Sequence, residues 1–154
     1  MRLTDILQPD CVKVPLHAET KQQAIAELVE LLVDRTGITG AEELAGAIWQ
    51  RETTRTTGIG HGIAIPHGKS AGVDRLRMAI GRPAQPLDFG AIDGRPVELM
   101  LLLASPEDQT GPHIQALARI SRMLTDSDFR NALKNAPSGE ELYQLIQDRE
   151  PKAV

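Results

Sequence analysis

Val97-Glu98-Leu99-Met100-Leu101-Leu102-Leu103-Ala104 contains the longest uninterrupted apolar stretch of the chain, Leu99 to Ala104. That run is far too short to cross a bilayer, and without polar alternation it reads as a strand covered on both faces. Cys11 to Leu16, Gly62 to Ile65 and Arg75 to Ile80 are the other strand candidates. Helical patterns lie before and after them. Thr20 to Arg35 places Ile25, Leu28, Val29 and Leu32 at helical spacing, with Thr20 and Gln23 as a capping box and Gly37 as a stop. A second helix is predicted from about Ala41 to Glu52, with Leu44, Ala47 and Ile48 on its buried stripe, and a third from about Pro112 to Leu124 on Ile114, Leu117, Ile120 and Leu124. Two shorter helices begin near Ser127 and at Ser138, and PAQPLDFGAIDGRP between the last two strands reads as a loop or irregular crossing. The alternation predicts an α/β fold: a single-domain three-layer sandwich, a mixed β-sheet flanked by helices on both faces, spanning residues 1–154 with an ordered core of about 3–148.

Composition narrows the function classes. Lys and Arg total 17 against 21 Asp and Glu, and the basic residues are scattered, which argues against a nucleic-acid or anionic-membrane surface. Aromatic residues make up only 3%, too few for a base-stacking platform, so the core must be aliphatic. Cys11 has no partner for an internal disulfide and reads as a buried structural thiol. The opening MRLTDILQPD puts Asp5 and Asp10 where a signal peptide needs an apolar run, so a cytoplasmic protein without membrane insertion is expected.

The stretch Thr56 to Ser70, TTGIGHGIAIPHGKS, is the most unusual. Gly58, Gly60 and Gly62 let the backbone take positive φ and turn its N–H groups toward an anion such as phosphate; the same glycines also suit a flexible hairpin entry. The wording is not a P-loop, and a dinucleotide-binding reading fails because the segment leads into Ile63 to Ile65 rather than a helix. His67 stands between Pro66 and Gly68, where a strand is expected to end. An imidazole near pH 7 is largely neutral and carries a ring nitrogen able to attack phosphorus without a helper base. Strict alternation puts His61, Ile63, Ile65 and His67 on one face, so Pro66 must break it for His67 to reach solvent.

Phosphoryl transfer needs positioned donors and positive charge. Arg51, near the end of the second helix, and His113, after Pro112 at the expected start of the third, are the candidates. Bland readings exist for Arg51 and His67: a favourable charge at a helix C-terminus, and a turn histidine hydrogen-bonded to backbone. A metal site is not supported, since His61 and His67 stand about 20 Å apart on an extended strand. His17 reads as a surface histidine, and Ser70 and Ser105 lack nucleophile-elbow context.

At TTGIGHGIAIPHGKS the sequence resembles the active-site signature of the fructose/mannitol-type IIA family of the sugar phosphotransferase system. The resemblance extends to LTDILQPD, Gln50-Arg51-Glu52, DFGAIDGRPVELMLLLASPEDQTGPHIQAL and EELYQLI. It implies that His67 accepts the phosphoryl group as a tele-phosphohistidine from HPr or its nitrogen-branch relative, with no metal or organic cofactor. The family's arginine and second histidine match Arg51 and His113. Backbone groups of Gly58, Gly60, Gly62 and Gly68 are expected to help hold the phosphoryl oxygens. The TGIG…GIAIPHGK and DQT…H wording is most similar to the nitrogen-regulatory branch, whose phosphoryl group acts as a signal on regulatory target proteins such as sensor kinases or potassium transport proteins. Two alternatives stand beside this: a sugar-transport IIA subunit donating to a separate IIB protein, and a binding regulator that works without phosphotransfer. His61 occupies a position where asparagine is expected, either tuning the phosphohistidine's lifetime or as a harmless substitution.

Overall fold

Local signals set the helices. The Thr20 hydroxyl accepts from the Gln23 N–H at 3.2 Å, α1 runs Lys21–Thr36, and Gly37 closes it at φ 75° with its N–H on the Val33 carbonyl. Ser138 caps α5 (Gly139–Arg149) by accepting from Glu141 N–H, and Asp126 caps α4 (Ser127–Asn135) in the same way. Between them come α2 (Ala41–Thr54) and α3 (Thr110–Met123). The computed structural model describes residues 1–150; the last four residues of the expected span, 151–154, lie outside the described residues.

The strands are β1 (Leu7–Leu16), β2 (Gly58–Gly60), β3 (Ile63–Ala64), β4 (His67–Lys69), β5 (Arg77–Pro83) and β6 (Leu99–Ser105). They form one mixed sheet in the order β1-β5-β6-β3-β2, with β4 also paired to β6. β1 runs parallel to β5, β5 antiparallel to β6, and β3 and β4 both parallel to β6. Every residue of β6 is buried, so the sheet is covered on both faces, as the apolar run requires. α1 packs on α2, β1 and β5; α2 packs on β4; α5 packs on β1. Cys11 is fully buried, and desolvation pushes its thiol up to about 11.

Several expectations need correction. Val97 does not join β6 but bridges Leu87 across the Pro- and Gly-rich crossing, whose Phe89 is fully buried. β1 starts four residues before Cys11 because Ile6 and Leu7 already pair with Met78. α3 starts at Thr110, so Pro112 is its third residue rather than its first. Its buried side is His113, Ala116, Ile120 and Met123; of the expected stripe Ile120 and Leu124 are buried and Leu117 is partly so, but Ile114 is 60% exposed because the polar His113 takes the inward position beside it.

Pro66 does not break the alternation. Ile63 pairs with Leu99 and His67 with Leu103, so β3 and β4 follow β6 at one unchanged offset, with the Leu103 N–H on the Pro66 carbonyl at 2.9 Å. His67 therefore opens a short second strand instead of ending one. Packing is tight at Gly68. A Cβ there would lie 2.8 Å from Ile48 Cγ1 and 3.0 Å from the Ile48 backbone nitrogen, so α2 rests directly on the β4 backbone. We expect Gly68→Ala to lower the urea midpoint by the equivalent of about 1–3 kcal/mol, the usual cost of overpacking, without changing the unfolding slope. An unchanged midpoint would show that α2 is free to move off the sheet.

Candidate functional site

Contact between α2 and β4 brings Arg51 and His67 to one cavity of about 250 Å³, which Arg55, Ile59, Ile65 and Ile92 also line. Ile65 and His67, two residues apart on one strand run, share the cavity wall. His67 reaches solvent because this wall is open.

The His67 ring is oriented by its own backbone. Its Nδ1 lies 2.8 Å from the Ile65 carbonyl oxygen, which can only accept, so Nδ1 carries the proton and Nε2 keeps a free lone pair. Burial lowers the His67 pKa below 6.5; the hydrogen bond to Ile65 opposes this, the Arg51 charge reinforces it, and Glu52 opposes it. The neutral ring is the nucleophilic form.

His113 stands beside it, the two ring centroids 5.3 Å apart and the planes tilted by 59°. It is 6% exposed, and its Nδ1 lies 2.5 Å from the Ser105 hydroxyl. Burial, the His67 charge and Lys69 push its pKa down to about 4. Its own N–H is spent on the Gln109 carbonyl at 3.1 Å, so what it brings to the site is its ring, not a free helix-end amide. Lys69 reaches from β4 to the Thr110 hydroxyl at 2.8 Å, tying the strand to the start of α3.

The glycines divide. Gly58 lines the cavity, but its N–H is held by Thr56 Oγ1, and its lack of a Cβ admits the crossing loop, since a Cβ there would lie 2.8 Å from Ala91 Cβ. Gly60 (φ 96°) and Gly62 (φ 78°) build the β2–β3 turn, and the Gly62 carbonyl accepts from Glu98 and Leu99. The stretch is a strand-and-turn device rather than an anion nest around His67. Gly68 admits α2. His61 sits at the tip of this turn at φ 59°, with its N–H on Asp93 and its carbonyl accepting from Lys134. A left-handed position favours asparagine, which accounts for that expectation. The register puts even Ile63 four residues from His67 along β6, about 13 Å, so His61 is remote from the site.

Two participants, Glu52 and Arg55, carry no role in the sequence reading, and a third, Ser105, is weighed there only as a nucleophile. Glu52, 2% exposed, accepts from the Thr57 N–H at 2.7 Å and from its hydroxyl, bracing the segment after α2. Its position four residues after Ile48 on the buried stripe was the available signal. Arg55 also lines the cavity, and its carbonyl accepts from Arg51 Nη1 at 2.9 Å. Ser105 is the first polar residue after the apolar run, and nothing local connects it to His113.

A family model described as phosphoenolpyruvate-dependent sugar phosphotransferase system, EIIA 2, matches residues 5–149. The nitrogen regulatory protein of Escherichia coli (strain K12) is 38% identical over 153 residues, covering 97% of this chain and 92% of that protein. The nitrogen regulatory protein of Bradyrhizobium diazoefficiens is 34% identical over 146 residues, 95% of each chain. The crystal structure of nitrogen regulatory protein IIA-Ntr from Neisseria meningitidis matches with a TM-score of 0.85 at 29% identity, covering 94% of this chain and 98% of that one.

Burial lowers the pKa of both histidines. In an NMR titration we expect the His67 midpoint below 6.5 and that of His113 near 4. Unfolded imidazoles bind protons at about 6.5, so the unfolded state takes up more protons as pH falls, and stability is lost between 6.5 and about 4. A His113 midpoint at or above 6.5 would contradict the burial account.

Proposed function

The chain belongs to the EIIA 2 family of the phosphoenolpyruvate-dependent sugar phosphotransferase system, and on that premise we propose that it accepts a phosphoryl group on Nε2 of His67 from an HPr-type carrier. The observation that carries this reading is the Nδ1–H bond to the Ile65 carbonyl, which presents Nε2 to a cavity shared with Arg51. In the transfer, the Nε2 lone pair attacks the phosphorus of the carrier's phosphohistidine. The donor's N–P bond breaks, its ring nitrogen leaves with the electron pair, and the phosphoryl group ends on His67 as a tele-phosphohistidine. Arg51 is the fixed cation for the equatorial oxygens, and the neutral His113 ring lies close enough to contribute a hydrogen bond.

The regulatory, nitrogen-branch role is supported by relatives that match over nearly their full length and bear the name nitrogen regulatory protein. Among the described residues no helix is long and apolar enough to cross a membrane; the carrier would act in the cytoplasm on regulatory target proteins. Ile59, 44% exposed, and Ile92, 72% exposed, flank the cavity as apolar contacts for a partner. A phosphoryl group adds about −2 charge at this rim and changes which surfaces it fits.

Incubation with phosphoenolpyruvate, enzyme I and an HPr-type carrier, followed by intact-mass spectrometry, tests the reading. We expect one acid-labile phosphoryl group on the wild type and none on His67→Ala. Long-range proton–nitrogen NMR should place that group on Nε2. Arg51→Ala should slow acceptance by about 10²-fold, the usual value of one aimed transition-state donor. A phosphoryl group that persists in His67→Ala would remove His67 from the mechanism, and a wild type inert to every cognate carrier would favour a regulator that works by contact alone.

A further inference from the structure

Ser105 closes β6 with its side chain wholly buried and its carbonyl accepting from the Ser70 N–H at 3.0 Å. Its hydroxyl has one side-chain partner among the described residues, Nδ1 of His113 at 2.5 Å. Two proton arrangements fit that distance. If Nδ1–H donated to the hydroxyl, the serine's own hydrogen would be left without an acceptor in a site closed to water. Nε2 would then be a bare acceptor beside the place where phosphoryl oxygens, also acceptors, must sit. If the hydroxyl donates to Nδ1, both groups are satisfied, and Nε2 keeps its hydrogen. A buried hydroxyl hydrogen left without an acceptor is costly enough to decide between the two.

We propose that Ser105 is a positioning residue that selects the proton arrangement of His113, so that its Nε2–H is the hydrogen-bond donor offered to the group transferred at His67. The proposal rests on the phosphoryl-acceptor reading of His67 for its purpose, though not for its geometry. Burial and the neighbouring cation Lys69 keep the His113 ring neutral. A neutral ring donates from one nitrogen only, so the choice of nitrogen decides whether it attracts or repels an anion. Ser105 makes that choice from the sheet side, acting through His113 without itself touching the transferred group.

Long-range proton–nitrogen correlation on uniformly labelled protein at pH 7 tests this directly. Wild-type His113 should show a protonated-type Nε2 and an unprotonated-type Nδ1. Ser105→Ala, which removes the hydroxyl without adding volume, should give a mixture of the two forms and slow phosphoryl acceptance by about tenfold. The slowing should be smaller than that for loss of the donor itself, because some rings keep the Nε2 proton. A wild-type ring protonated on Nδ1, or a Ser105→Ala ring that keeps a pure Nε2–H form, would overturn the proposal. A wild type that takes no phosphoryl group yet shows the expected ring state would defeat the functional reading and leave the assignment of Ser105 to His113 standing.

Discussion

Everything at the site follows from how closely α2 lies on β4. The approach is set by the missing side chain at Gly68, whose place is taken by the Ile48 side chain and backbone. One turn beyond Ile48 come Arg51 and Glu52, so the same contact that seals the sheet also delivers a cation to the cavity and a carboxylate to brace its wall. A helix set an ångström or two farther out would still bury its apolar stripe. It would not aim Arg51 at the same wall as Nε2, and positioning is most of what phosphoryl transfer asks of a protein.

Electrostatically, the site concentrates positive charge while keeping its rings uncharged. Arg51, Arg55 and Lys69 surround the cavity and the start of α3, whereas His67 and His113 are held neutral chiefly by burial. A charged His67 would have no lone pair to give. The guanidinium that will meet the phosphoryl oxygens also discourages protonation of the ring that must attack, so both requirements are met by one arrangement of charge.

Much of this was legible in the sequence where the cause is local. The Thr20 cap, the Gly37 stop and the unbroken run of β6 are each explained within a few residues, and the structure reproduces them. His67, Arg51 and His113 were found by residue type and motif, and the structure brings all three to one place. What remained hidden depends on distant partners. β2 and β4 are only three residues each and exist because β3 and β6 hold them. The inward position of His113 on α3 depends on a serine at the end of β6, which no hydrophobic pattern reveals. In the sequence the glycines suit a cradle or a hairpin entry equally, because their freedom is visible and their neighbours are not; Ala91 fills the space spared by Gly58, and Ile48 that spared by Gly68.

The turn at the tip of β2 and β3 is tied from three directions: Asp93 holds the His61 N–H, Lys134 of α4 reaches the His61 carbonyl, and the Glu98 N–H donates to the Gly62 carbonyl at 2.7 Å while its carboxylate pairs with Lys134 at 3.3 Å. Ile59 rides on this hairpin at the edge of the cavity. A partner that docks there meets a surface whose backbone has already surrendered its conformational entropy during folding, so the cost of ordering it does not fall on the encounter. Such a surface suits a carrier that must meet one protein, exchange a small group, and part again quickly. Its contacts can be few and still register correctly, because rigidity supplies the accuracy that a larger interface would otherwise provide.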